Sequence, residues 1–272
     1  MAERPRSYRT DALILARRTL GEADSVFTIL SPEFGRCDVV ARGVRKATSK
    51  LRGHLEALAC VHLQLARGRS MDVITQVMSV EPFRALREDL AKGALAQYVA
   101  ELVARATEEH QAQPEVYRLA MLTLSALAAG AGDQACRYFE IHVLAETGYA
   151  PQLDHCARCG GRLEADDSYL SPAMGGLACA GCGWLDPGGR PLSGRAIRVL
   201  RYARQEELSQ FMAVRIEEPL ARELEAALGL LVRQALEVDL RTARFVADVR
   251  RLPVPDRVLP EAVYTSENAT SG

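Results

Sequence analysis

The sequence predicts an α+β chain in two parts: a small all-β module, then an all-helical region into which a four-cysteine segment is inserted. Three observations predict it. Between Thr10 and Val80, five short stretches near 10–17, 25–30, 35–42, 59–66 and 71–80 carry strand patterning, with no long helical period between them. After Glu81-Pro82 the apolar residues recur at three and four positions, the helical spacing. Cys156, Cys159, Cys179 and Cys182 then stand as C-x2-C-x19-C-x2-C, the spacing of a tetrahedral metal site.

Each element has its own signal. In the fourth strand Val61, Leu63 and Leu65 alternate with His62 and Gln64, which puts one face in a core and the other in water. In the third, Cys37, Val39 and Ala41 alternate with Arg36, Asp38 and Arg42, and only Val40 breaks the pattern, so Arg36 and Arg42 should point outward together. Turn residues separate strands at Ser31-Pro32-Glu33-Phe34-Gly35 and at Arg67-Gly68-Arg69. Five strands in this length fit a small barrel of the OB or the SH3-like type, and strand counting leaves both open. Helices are predicted over 84–109 and 115–129, with Pro114 at the tolerant first turn. A third runs from a cap at Asp133 to a stop at Gly148, with Pro151 just beyond. The cysteine segment occupies 154–185; Ser193 caps a helix over 195–208, and a last long helix spans 218–237. The resulting division is 1–80, 81–252 and a tail, 253–272, whose low apolar content predicts disorder.

The 272 residues, 48% hydrophobic and 25% charged, suffice for a buried core and exclude disorder over most of the chain. The longest apolar stretch, Leu119 to Ala131, is shorter than the ~20 residues of a membrane span. The run Ala12 to Ala16 is shorter than the ~7–15 residues of a signal-peptide core, and a cytoplasmic location is expected. The net charge of −1 hides an asymmetry: residues 1–80 hold 13 basic and 8 acidic side chains, +5, leaving −6 for the remainder. A positive first module on a neutral protein is a candidate polyanion surface.

Of the seven cysteines, Cys37, Cys60 and Cys136 are isolated in strand or helix patterns and are expected to be packed as small apolar residues. The other four read Cys156-Ala-Arg-Cys159-Gly160 and Cys179-Ala-Gly-Cys182-Gly183. Four soft thiolates with no spare position favour zinc in a closed, structural site, and glycine after each pair permits the tight turn that aims N–H groups at sulfur. His155 adjoins Cys156, but the four sulfurs already complete the set. A zinc deaminase would use the H-x-E of His54-Leu55-Glu56 with P-C-x-x-C; here no proline precedes Cys156, and the second cysteine pair fills the position that hydroxide needs. Redox C-x-x-C chemistry expects one pair beside a βαβ unit, which the pattern lacks. From 154 to 190 five acids face three arginines, a poor surface for phosphate.

The strongest polyanion signal lies between the third and fourth strands. Arg42, Arg45, Lys46, Lys50 and Arg52 put five cations and no acid into eleven residues, with Gly43, Thr48 and Ser49 adding freedom and donors. Tyr8, Phe27, Phe34 and Phe83 are the aromatics nearby, too few for extensive base stacking, so binding should rest on backbone charge and fall steeply with salt. A second stripe, Arg195, Arg198, Arg201 and Arg204, recurs every three residues and drifts around its helix.

Several of these segments also carry a family likeness. Tyr8-Arg-Thr-Asp-Ala-Leu-Ile-Leu, Gly21-Glu-Ala-Asp-Ser25, Gly35-Arg36, Ala41-Arg-Gly-Val-Arg45, Leu55-Glu56 and Gly68-Arg69 resemble the N-terminal domain of the RecO family of DNA repair proteins. Glu146-Thr-Gly-Tyr-Ala-Pro-Gln-Leu153, the two cysteine pairs and the Ser193 helix extend the resemblance over most of the chain. It implies an OB-fold barrel, then a helical domain bearing a zinc finger. It implies a non-enzymatic recombination mediator, nucleoid-associated, that binds single- and double-stranded DNA and anneals strands coated by single-stranded-DNA-binding protein (SSB). With RecR, such a mediator loads RecA. Arg36, Arg42, Arg45, Lys46, Lys50 and Arg52 would then be the DNA surface and the four cysteines would hold one structural Zn2+. Arg195, Arg198 and Arg201 would be candidates for the acidic SSB tail. The rival reading is a zinc-ribbon adaptor that joins proteins without touching nucleic acid.

Overall fold

The computed structural model describes residues 6–164 and 168–252; the tail expected to be disordered lies outside them. Five strands, β1 (Ser7–Leu20), β2 (Asp24–Ser31), β3 (Gly35–Ala41), β4 (Cys60–Ala66) and β5 (Asp72–Glu81), close into a barrel in the order β1-β2-β3-β5-β4. All pairings are antiparallel except the short parallel contact of β3 with β5, at Val39↔Asp72 and Val40↔Val73. This is the OB-like arrangement, so the SH3-like alternative falls away. The 14-residue β1 closes it: Ser7 to Leu13 pair with β4, Leu13 to Leu20 pair with β2, and a register shift between Ile14 and Ala16 bends the strand between its two partners.

β1 also explains how the barrel meets the rest. Ala12 and Ile14 point into the barrel with Phe27, Ile29, Val39 and Leu63, while Leu13 and Leu15 point out into a second core shared with the helices. Ala12-Leu-Ile-Leu15 is therefore a continuous apolar run because both faces of the strand are covered.

The helical part contains α1 (Arg84–Glu88), α2 (Leu90–Ala106), α3 (Pro114–Ala128) and α4 (Asp133–Glu146) before the cysteine segment. The single helix expected over 84–109 is broken at Asp89, whose backbone is extended and whose carboxylate accepts from the N–H groups of Ala91 (2.9 Å) and Lys92 (3.0 Å). Gly93 lets α1 fold back, since a Cβ there would lie 2.7 Å from the Leu86 carbonyl oxygen. α4 ends as the sequence predicts, with Gly148 at φ +86° and the Tyr149 N–H donating to Leu144 O at 2.7 Å.

The cysteine segment holds β6 (Ser168–Ser171), β7 (Gly176–Cys179), the single turn α5 (Ala180–Gly183) and β8 (Arg190–Leu192), a sheet in the order β7-β6-β8. α6 (Gly194–Gln205), α7 (Leu208–Met212), α8 (Glu218–Leu236) and α9 (Arg241–Arg251) complete the chain. Ser193 caps α6 as expected, accepting from the Ala196 N–H at 3.2 Å. The pattern missed α7 and α9. α9 buries only Val246 and is held by charge: Glu101 of α2 accepts from the N–H groups of Arg241 (3.2 Å) and Thr242 (2.8 Å), and Arg250 pairs with Asp133 (2.8 Å) and Glu225 (2.7 Å). Among the described residues no helix is long and apolar enough to cross a membrane.

Candidate nucleic-acid interface and cysteine centre

The basic loop leaves β3 through Gly43, whose φ of +63° suits glycine and whose N–H donates to Asp24 Oδ1 at 2.7 Å. Arg45 donates from its backbone to Ala23 O (2.9 Å) and from its guanidinium to Gly21 O (3.1 Å), which pins the loop to the β1–β2 turn. Val44 and Leu55 are fully buried in the barrel core and act as two anchors. Between and around them Arg42, Arg45, Lys46, Lys50 and Arg52 are exposed, and none has an ion-pair partner among the described residues. A loop tethered at both ends with its cations turned to solvent presents charge without having to order its roots on binding.

Arg42 also lines a groove of about 800 Å3 with Arg67, Arg69 and Ser70 of the β4–β5 turn and with the apolar floor of Val40 and Val73. The sequence places Arg67 and Arg69 in a turn, and Gly68-Arg69 among the segments of the family likeness, without joining them to the basic loop. Two arginines flanking a glycine in a barrel loop were the available signal, and the fold converts it into proximity to Arg42. Val40, the residue that broke the β3 alternation, is the floor of this groove.

Arg36 is placed differently. It leaves the outer face of β3 as expected but turns to the helical part, donating to Thr107 O (3.1 Å) and pairing with Glu109 (3.1 Å), while the His110 N–H donates to Arg36 O (2.9 Å). It does not stand with Arg42. The second stripe also divides: Arg195 and Arg198 are exposed on α6, whereas Arg201 donates to Leu153 O and Leu163 O, both at 2.9 Å, and Arg204 pairs with Asp154 at 2.6 Å. Arg201 and Arg204 thus bind the cysteine segment to α6, and the Arg204 guanidinium holds the Asp154 carboxyl below the usual carboxylate range.

The four cysteine sulfurs all lie within 4.8 Å of one another, with Cys159 Sγ and Cys179 Sγ 3.9 Å apart. A tetrahedral ion with ~2.3 Å bonds to sulfur needs sulfurs about 3.8 Å apart, so the set fits a metal ion. Burial alone would raise the Cys156 thiol, but N–H groups of Cys159, Cys179 and Arg158 outweigh it and draw it to about 6, while the neighbouring thiols, Cys179 first, push Cys182 up to about 12. Four sulfurs this close cannot all ionise without a cation among them, which a metal held there would supply. Gly160 takes φ +74° as the turn requires; Gly183 serves otherwise, since a Cβ there would meet the Tyr169 ring at 2.5 Å. His155 stands outside the cluster. Cys37, Cys60 and Cys136 are buried, and burial pushes their thiols up, Cys37 to about 11 and Cys136 to about 12.

Comparison with known proteins agrees with this architecture. Residues 4–83 match the family described as Recombination protein O N terminal, and 87–244 match Recombination protein O C terminal. The DNA repair protein RecO of Roseiflexus sp. (strain RS-1) is 40% identical over 250 residues, covering 92% of this chain and 88% of the relative. That of Dehalococcoides mccartyi (strain ATCC BAA-2100 / JCM 16839 / KCTC 5957 / BAV1) is 36% identical over 250 residues, covering 92% and 98%. With the barrel, the helical part and the cysteine cluster all within the matched span, the chain belongs to the RecO family of DNA repair proteins.

Proposed function

We propose that this chain is a non-catalytic recombination mediator that binds single- and double-stranded DNA through Arg42, Arg45, Lys46, Lys50 and Arg52, joined by Arg69; Arg67 beside it is paired with Asp72 at 3.8 Å. The observation that carries this reading is the exposed loop cations without internal counter-charge, on a barrel of the OB type. Such cations release counterions from the phosphate backbone, and backbone contacts accept either strand form and any sequence. Neutralising two strands at once lowers their repulsion and raises their local concentration, and duplex formation supplies the free energy, so annealing requires no nucleotide hydrolysis. Membership of the family supports the remaining steps: partnership with RecR, displacement of SSB and loading of RecA onto single-stranded DNA. The exposed Arg195 and Arg198 are the better candidates for an acidic SSB tail; Arg201 is engaged within the fold. Arg36 serves the joint between barrel and helices more than the DNA surface. The four thiolates hold Zn2+, the divalent ion that best suits an all-sulfur tetrahedron, as a staple for residues 154–185.

Fluorescence anisotropy of labelled single- and double-stranded oligonucleotides across a salt series, on metal-loaded protein, tests the proposal. Binding to both that weakens steeply with salt is expected. Absence of binding in dilute buffer would refute it and leave the zinc-ribbon adaptor, a reading that the exposed Trp184 beside Cys182 favours.

A further inference from the structure

The barrel is closed between β3 and β5 by only two residue pairs, and Gly35 to Asp38 have no partner on β5. Where that seam opens lies a second hollow, of about 510 Å3, within the ~300–1,000 Å3 range of small-molecule sites. Tyr8 and Phe34, 26 positions apart in sequence, meet there with ring centroids 4.5 Å apart, and the Arg67 guanidinium lies over the Tyr8 ring at 4.6 Å. Phe27 and Phe83, the other aromatics near the basic loop, are buried in the two cores. The acids Glu33, Asp38 and Asp72 also line the hollow. The hollow shares Arg67, Ser70 and Met71 with the arginine groove beside it.

These two hollows have opposite chemistry. Glu33 already accepts from the Thr10 and Ser31 hydroxyls, Asp38 is paired with Arg18 at 2.7 Å and Asp72 with Arg67 at 3.8 Å, so an anion finds no free cation among the described residues here. The remaining carboxylate lone pairs can accept from the amino or imino edge of a base, a donor that all four DNA bases carry. Asp72 is fixed in place: the Tyr8 hydroxyl donates to it at 2.6 Å, the Gly68 N–H at 3.0 Å, and the Arg67 guanidinium pairs with it at 3.8 Å. A planar ring entering the hollow meets Phe34 and Arg67, whose side chains are both stacking surfaces.

We propose that this hollow takes an unpaired nucleobase of single-stranded DNA while the adjoining groove carries its phosphates on Arg42 and Arg69, with Arg67, paired to Asp72, set between the two. The inference rests on the DNA-binding reading above and adds a contact that a duplex, with its bases paired, does not make. It also explains why acids sit beside the arginines of a polyanion surface: they divide base from backbone.

The test compares an oligonucleotide of ordinary bases with one of equal length carrying abasic residues, and follows a 2-aminopurine base placed mid-strand. Wild-type protein is expected to bind the intact strand about 5- to 100-fold more tightly, the range of a single base stack, and to quench the 2-aminopurine. Phe34→Leu should lose both the preference and the quench, and Phe34→Tyr should keep them. Equal affinity of wild-type protein for intact and abasic strands overturns the pocket while leaving the DNA-binding reading in place. Failure to bind either strand overturns both.

Discussion

Replacing Arg45 and Lys46 together by alanine removes two of the five loop cations that lack an internal partner. Each phosphate contact contributes a slope of about −0.7 in log K against log salt for a single strand and about −0.9 for a duplex. The five together therefore contribute up to about −3.5 for single strands, which weakens binding roughly 100-fold between ~50 and ~200 mM salt. The double variant should lose about 1.4 of that slope, leaving the loop with a weakening of roughly 20-fold over the same range, and the loss should be alike for all sequences. The fold should tolerate the change. Arg45 forfeits one exposed bond to Gly21 O, worth at most about 1 kcal/mol, and Val44 and Leu55 still anchor the loop. Anisotropy titrations at four or five salt concentrations measure both slopes. An unchanged slope in a variant that melts like the wild type would remove the loop from the binding surface.

Other outcomes follow from the same contacts. Cys159→Ser, or chelation, should lower the melting temperature by about 5 °C or more, as a loss of ~2 kcal/mol does in a chain of this size, with bound zinc by elemental analysis falling in parallel; full stability with the metal gone would show that the ion is not a staple. Arg36→Ala should cost about 1–2 kcal/mol by denaturant melting, through the bonds to Thr107 O and Glu109, yet change the salt slope of DNA binding by less than half a unit. A slope loss like that of the loop variant would return Arg36 to the DNA surface. Burial pushes the Glu140 carboxyl up to about 7, against the pull of Arg137 at 2.9 Å and the Tyr98 hydroxyl. A carboxyl raised on folding adds stability that is complete below its unfolded value near 4.5 and is lost as pH rises through about 7, so melting curves of Glu140→Gln should show a shallower decline over that window than the wild type. Arg137→Met removes the cation that holds the Glu140 carboxyl down, so its cost should be small at acid pH, where the carboxyl is protonated, and should grow towards ~3–5 kcal/mol as pH rises above about 7.

How much of this was legible depended on how far apart the cooperating residues lie. The five strands announced themselves because each is local, and β4 could be read to the residue because only one of its faces is covered. The break at Asp89 was legible in principle, as a capping residue inside an apolar period, and the long Ala- and Leu-rich pattern concealed it. α9 was not. Its own sequence, Arg241-Thr-Ala-Arg-Phe-Val-Ala-Asp-Val-Arg-Arg251, is too polar to announce a buried face, and the carboxylate that caps it belongs to Glu101, 140 residues earlier. The cysteine cluster was legible because its paired spacing is that of a metal site, whereas the three strands around it were too short to register. Tyr8 and Phe34 were each visible, but nothing in one dimension says that they touch.

The same limit separates the cations that matter from those that do not. Composition counts Arg18, Arg36, Arg201 and Arg204 equally with Arg42 and Lys50. In the fold, Arg18 pairs with Asp38 at 2.7 Å, Arg36 with Glu109 at 3.1 Å and Arg204 with Asp154 at 2.6 Å, and Arg201 is spent on two carbonyls of the cysteine segment. A cation already neutralised by a fixed carboxylate perturbs the ion atmosphere of DNA little, because bringing it to a phosphate exchanges one counter-charge for another. The surface that the proposed function would use is thus smaller than the +5 of the first 80 residues suggests in extent, and sharper in position: it is the stretch from Arg42 to Arg52 with the neighbouring Arg69, where the cations are held outward without an ion pair among the described residues and the acid lining the groove, Asp24, accepts from the Gly43 N–H. A cluster held in that state carries a cost in self-repulsion, which under the proposed function the phosphates of DNA would offset.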